Sequence, residues 1–165
     1  MSFCDGFKKY VLANEYIKYN VLEYKHVFFR RDSWYDEVKK TEKALGIVIP
    51  EELKEIYKEL GYGFLCALDK ACVDRVMPAI DISDFYFKQD VYEYNEVVDC
   101  YDLNEGRMVF FEIDSDLFLT VSLTPNKEGY PVYLNDEMIA KSLKEFLEKM
   151  DEKTDYYFDY IAKDV

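Results

Sequence analysis

Asp114 and Asp116 flank a single serine in the run EIDSDLF. Two carboxylates on one tight turn could exchange protons with a substrate or hold a hard cation. A calcium loop needs more oxygen ligands at fixed spacing, and the neighbouring residues do not supply them. The same residues suit a hairpin turn, because aspartate tolerates turn geometry and bonds its own backbone; that is the reading expected here. Nucleophilic chemistry has less to work with. His26 is the only histidine, so a Ser-His-Asp or Cys-His site would have to be built on it, and Val27 and Phe28 beside it read as core. Cys4, Cys66, Cys72 and Cys100 contain no C-x-x-C pair, and with one histidine they do not compose a zinc site. Reduced thiols are expected. Neither G-x-G-x-x-G, nor a P-loop, nor a G-x-S-x-G elbow occurs. Counting carboxylates alone leaves a two-carboxylate glycosidase open. The balance favours binding over catalysis, without metal or cofactor.

Charge says what kind of partner to expect. The net charge of −13 opposes nucleic acid and anionic membrane surfaces and favours a basic partner. It is unevenly spread. Residues 1–45 are slightly positive, whereas residues 81–116 hold eleven acids against Lys88 and Arg107, a net charge of −9. Within that segment Tyr94, Val97, Val98 and Tyr101 recur at i, i+3, i+4, i+7, which predicts a helix. Asp90, Glu93 and Glu96 lie off its stripe, and Asp99, Asp102 and Glu105 continue the acidic run. This is either a solvated helix face or a partner-facing surface. The 16 tyrosines suit both core and interface, since each brings a large ring and a hydroxyl on few rotatable bonds.

The elements that must position these groups follow from periodicity. Trp34, Val38, Thr41 and Leu45 predict a helix, with Ser33 as N-cap, Asp36 as a weak capping-box partner and Gly46 as its stop. Pro50 is expected at the first position of a second helix, striped by Leu53, Ile56, Tyr57 and Leu60 and ended by Gly61. Phe7, Tyr10 and Val11 suggest a short helical piece near the N-terminus, followed by irregular or extended chain. Residues 64–80 hold one or two short strands, and Asp81 or Ser83 caps the next helix. MVFFEI (108–113) and LFLTVSL (117–123) read as paired central strands, nearly continuous in apolar residues and so covered by helices on at least one face. Pro131–Leu134 is a third strand, with Asn135-Asp136 as a turn. A last helix starts at Ser142, with Glu145 as capping-box partner and Leu143, Phe146, Leu147 and Met150 buried. Tyr157, Phe158 and Ile161 would dock the tail. No repeat or linker is visible, so residues 1–165 are expected to form one domain. The chain is half hydrophobic and 18% aromatic, enough for a real core. No leader segment and no transmembrane run is seen, and a cytoplasmic protein is expected.

The run LGIVIPEELKEIYKELGYG resembles the SUKH superfamily, which holds a yeast cell-wall-synthesis regulator and bacterial immunity proteins that neutralise polymorphic toxins. Leu45, Gly46, Ile49, Pro50, Leu53, Ile56, Tyr57 and Gly61 stand at the positions of the family's opening. VFFEIDSDLFLTVSL, PVYLND and SLKEFLEKM follow in the family's order, so the match covers about half the chain. Residues 64–106 match poorly. The resemblance implies an α+β fold with a mixed, mostly antiparallel sheet and helices packed against it. It implies a protein that binds and neutralises a toxin domain rather than an enzyme. A nuclease toxin, basic because its substrate is polyanionic, would suit the charge. The expected partner surface is Tyr62, Tyr92, Glu93, Glu96, Asp99, Asp114 and Asp116. The alternatives are a regulatory or scaffold module binding a cellular protein, as the yeast relative does, and a small-molecule-binding or hydrolytic domain.

Overall fold

A computed structural model describes residues 2–12, 25–65 and 72–161. Among the described residues eight strands form one sheet whose spatial order follows the chain. They are β1 (Val11–Leu12), β2 (Val27–Phe29), β3 (Tyr62–Phe64), β4 (Arg75–Val76), β5 (Arg107–Asp114), β6 (Leu117–Ser122), β7 (Val132–Leu134) and β8 (Glu137–Ala140). β1 and β2 run parallel and every other pair is antiparallel. The helices are α1 (Trp34–Leu45), α2 (Glu51–Glu59), α3 (Ala79–Tyr86), α4 (Leu143–Glu152) and α5 (Phe158–Ile161). This is the expected α+β architecture with a mixed, mostly antiparallel sheet.

The long β5–β6 hairpin is the centre. Residues Met108 to Phe111 and Phe118 to Val121 are buried without alternation, because both faces of these strands are covered. A bulge contributes as well. The register steps from Val109↔Thr120 to Phe111↔Leu119, so Phe110 has no partner across the pair. Phe110 and Phe111 therefore both reach Phe146 on α4, at ring distances of 5.5 and 5.2 Å. α2 contributes Leu53, Ile56 and Tyr57 to the same core. Full burial of such side chains contributes roughly 1.5–3 kcal/mol each. The Tyr57 hydroxyl donates to the Met77 carbonyl, and Thr41 on α1 donates to the Ala79 carbonyl at the start of α3.

The helix pair is built as its sequence requires, with two differences at its ends. Ser33 precedes α1, but its backbone is already near-helical (φ −83°, ψ 6°) and its hydroxyl makes no cap, so the predicted capping box with Asp36 does not form. Pro50 stands one residue earlier than predicted, as N-cap, with extended ψ of 137° and its carbonyl accepting from Leu53 and Lys54 N–H. Gly61 ends the unit at φ +97°, where a Cβ would lie 2.0 Å from the Phe29 carbonyl oxygen. At α4 the prediction holds: the Ser142 hydroxyl accepts from Glu145 N–H. The Glu145 carboxylate reaches back to Lys141 N–H rather than to Ser142.

The predicted helix over Tyr94–Tyr101 is not formed. The chain there makes three 3-10 turns, at Asp90–Tyr92, Glu96–Cys100 and Leu103–Glu105. Asn95 and Asp102 each accept from the N–H two residues on, so local side-chain bonds replace the helical ladder. Asp90 and Lys88 take left-handed backbone and interrupt it further. Tyr94, placed at the head of the helical stripe, is 87% exposed. α3 starts after Pro78, with Asp81 in its first turn rather than capping it. β8 was not expected; it follows the Asn135-Asp136 turn, where Asn135 is left-handed at φ 53°. Tyr157 docks the tail as predicted, while Phe158 is exposed.

Candidate functional site

The segment after α3 lies over the β5–β6 hairpin and is fixed there from inside. Phe85 packs against Tyr86, Tyr92, Tyr101 and Phe118 at ring distances of 4.8–6.0 Å. The Tyr86 hydroxyl accepts from Val109 N–H at the bulge (3.0 Å), and the Tyr101 hydroxyl accepts from Phe118 N–H (3.0 Å). Burial pushes both phenols up. Arg75 donates to Asp81 at 2.6 Å, to Glu112 at 3.2 Å and to the Tyr92 hydroxyl at 3.1 Å. Burial opposes its charge, but the two carboxylates outweigh burial and hold its pKa up. Tyr92, expected on the partner surface, is therefore an inward anchor. It is 3% exposed, and burial pushes its phenol up to about 12.

The outward side carries charge. Asn95 Nδ2 donates to the Ser115 carbonyl (2.9 Å), which ties the segment to the tip of the hairpin. Glu93, Glu96 and Asp99 thereby share one region of surface with Asp114 and Asp116. The Asp114 carboxylate accepts from Asp116 N–H, so the pair serves the turn as expected. Lys88 pairs with Asp99 at 3.0 Å, an exposed contact worth little. Asp84, half-buried behind them, has its pKa raised by burial and by the charges of Asp81 and Asp90. Among the acids stand Phe87, Val91 and Tyr94, all exposed, and the last two more than three-quarters so. Reading the sequence as a helix hid them, by assigning Tyr94 to a helical stripe and leaving Val91 unread.

Tyr62 is not part of this face. It lies on β3, two strands from β5, with the Arg31 guanidinium over its ring at 4.4 Å. The cleft it lines with Trp34, Pro78 and Ala79, at the opposite end of α3, has room for about 10 Å³, little more than one water.

A larger groove, about 320 Å³, opens between the segment, the β5–β6 turn and the β7–β8 turn. Asp102, Glu105, Asp116 and Asp136 stand around it with Arg107. Arg107 is held by its neighbours: Nη2 donates to Asp136 (2.8 Å) and Glu105 (3.1 Å), and Nη1 to the Asn135 carbonyl (2.8 Å).

His26 and Cys4 are engaged away from the groove, while Cys100 is exposed and lines it. His26 is buried, as expected, between Phe7 and Tyr10, with Nε2 2.8 Å from Asp151 Oδ1. Burial lowers its pKa. Burial pushes the Cys4 thiol up to about 12. Cys66 lies outside the described residues. Among the described residues no three of His, Cys, Asp and Glu are grouped to hold a metal ion, and no helix is long and apolar enough to cross a membrane.

The chain is 32% identical over 126 residues to an "Immunity protein YxxD" of Bacillus subtilis (strain 168), covering 76% of this chain and 84% of that protein. No solved structure matches it. The profile of the SMI1/KNR4 family (SUKH-1) matches residues 34–149, from the first residue of α1 almost to the end of α4. That span exceeds two thirds of the chain and holds both the helix pair and the acidic face, so this protein belongs to the SMI1/KNR4 (SUKH-1) family.

Proposed function

We propose that this chain is an immunity protein. It binds a toxin domain by direct protein–protein contact and neutralises it in the cytoplasm, without catalysis. The observation that carries the reading is the acidic face, in which exposed Val91 and Tyr94 stand in one segment with Glu93, Glu96 and Asp99, tied through Asn95 to the turn that carries Asp114 and Asp116. The name of the Bacillus relative supports the same role. An acidic surface attracts a basic partner from a distance and raises the on-rate. An exposed tyrosine and valine then supply apolar area that is buried only in the complex. A nuclease toxin is basic because its substrate is polyanionic, and an acidic inhibitor matches that charge. No nucleic acid or membrane is expected to bind.

The test is capture on the tagged, folded chain of the toxin-like product of an adjacent gene, at low and high salt, with growth rescue on co-expression. Salt-sensitive capture of a basic toxin domain together with rescue is the expected result. Capture of an ordinary cellular protein instead would move the chain to a regulatory role.

A further inference from the structure

We propose that the groove beneath the acidic face seats an arginine side chain of the basic protein partner. This rests on the immunity reading and specifies how the partner is held.

The first observation is Thr120. It is 6% exposed, and its hydroxyl has no hydrogen-bond partner among the described residues. Thr120 pairs with Val109 on one side and Tyr133 on the other, and Ser122 pairs with Arg107. Strand alternation therefore places Thr120 on the same sheet face as Arg107, where it lines the groove. Buried hydroxyls are normally satisfied, and an orphaned one calls for a missing partner. The groove is where a polar group could approach it.

The second observation is charge. Four carboxylates face one guanidinium, and that guanidinium is already spent on Glu105, Asp136 and the Asn135 carbonyl. The groove is thus net negative and repels anions. Asp116, on the hairpin side, is exposed and lines the groove. A fork-shaped cation fits this better than a compact one. A guanidinium can donate to a carboxylate and a hydroxyl together while its plane lies against a ring. Tyr101 supplies that ring, its hydroxyl being already turned to Phe118 N–H. The volume, about 320 Å³, is at the small end for ligand pockets and suits one long side chain.

The test is an amide-resolved NMR titration of the full chain with N-acetyl-arginine amide, with the uncharged citrulline analogue as control. Shifts confined to the surroundings of Thr120, Arg107, Asp116 and Asn135, absent with citrulline, are expected. T120V and D116N should each weaken that binding about tenfold, the usual worth of one hydrogen bond to a charged group. Both keep side-chain volume, and an unchanged or raised melting temperature for T120V shows that the fold is intact. Shifts spread evenly over Glu93, Glu96 and the rest of the acidic surface, or no shifts at all, overturn the proposal. The titration needs no toxin, so the two readings fail separately. A captured toxin that binds T120V and D116N as tightly as the unaltered chain defeats the groove alone. Localised arginine binding with no toxin captured defeats the immunity reading, and with it the assignment of the arginine to that partner.

Discussion

Residues 34–61 and 87–106 both bridge neighbouring strands and both cover the sheet, yet they are held in opposite ways. The helix pair satisfies its own backbone and turns Val38, Thr41, Leu53, Ile56 and Tyr57 inward at helical spacing. The acidic segment has only isolated 3-10 turns. It borrows its order from side chains: Asn95 and Asp102 on its own backbone, and Tyr86 and Tyr101 on N–H groups of the β5 bulge and of β6 respectively. The difference has a consequence for function. A helix with a buried stripe exposes polar residues in a fixed rhythm, whereas a segment pinned at a few aromatic points can expose whatever its partner needs. Here that is a run of acids and two apolar side chains. Binding residues concentrate on such irregular segments when a rigid scaffold holds them.

The largest effect should come from the aromatic pin itself. Phe85→Ala removes the ring that Tyr86, Tyr92, Tyr101 and Phe118 share, and should cost about 3–5 kcal/mol in urea unfolding. Leu53→Ala, at the heart of the helix pair, should cost about 2–5 kcal/mol. Equal cooperativity in the two variants means that the segment folds with the sheet. A near-neutral Phe85→Ala would show it to be a loosely attached loop and would break the comparison. Tyr101→Phe is smaller. It strands Phe118 N–H at the head of β6 and should cost about 1–3 kcal/mol without moving the ring. Measured stability equal to that of the unaltered chain would mean that the hydroxyl contributes nothing to holding the segment.

The same contrast explains what was legible in the sequence. Leu53, Ile56 and Tyr57 on α2, and Ser142 with Glu145 on α4, announce themselves because one local pattern decides each. Asp114-Ser115-Asp116 does so because the turn chemistry is local too. Tyr94, Val97, Val98 and Tyr101 have equally good helical spacing, but spacing counts only apolar residues. It does not register that Asn95 and Asp102 can satisfy the backbone outside a helix. Tyr92 was misplaced for a different reason: its burial depends on Phe85, Phe118 and Arg75, which no local pattern joins to it. β8 is four residues long and owes its existence to pairing with β7 after a two-residue turn. The groove was invisible because three separate stretches, around Asp102, Thr120 and Asp136, meet only in the fold.

Acid should act with opposite sign at two groups outside these regions, His26 before β2 and Asp84 on α3. Burial depresses the pKa of His26 below its ordinary 6.5, with Lys25 and Lys9 acting the same way and Asp151 opposing them. The unfolded chain therefore takes up the proton first. The stability this group contributes is complete above about pH 6.5 and lost as pH falls through that value toward the depressed one. Asp84 has the opposite sign. Its raised pKa means that the folded chain holds the proton longer, so its contribution is present below 3.8 and disappears as pH rises through the raised value. Urea midpoints at pH 7.5 and 5.5 should fall for the unaltered chain and fall less for His26→Gln. Identical slopes would exclude His26 as the group responsible.

The smallest effect on the fold should come from the outward side, and that is what makes it informative. Glu93, Glu96 and Asp99 are exposed, and the one described ion pair among them, Lys88–Asp99, is a solvated one. Changing all three to lysine should leave the melting temperature nearly unchanged, since exposed substitutions usually stay within about 0.5 kcal/mol each. The change also relieves repulsion among the acids of residues 81–116, whose net charge is −9. Association with a basic toxin domain should nevertheless slow severalfold at low salt, with little change in the dissociation rate, since steering charges act on the approach. Tyr94→Ala should do the reverse, leaving the on-rate alone and speeding release, because an apolar anchor acts only after contact. If the triple reversal leaves low-salt association kinetics untouched, the face is a solvated surface and the partner docks elsewhere. If both changes act on the same rate constant, charge and anchor are not divided as the exposure of Tyr94 among the acids implies.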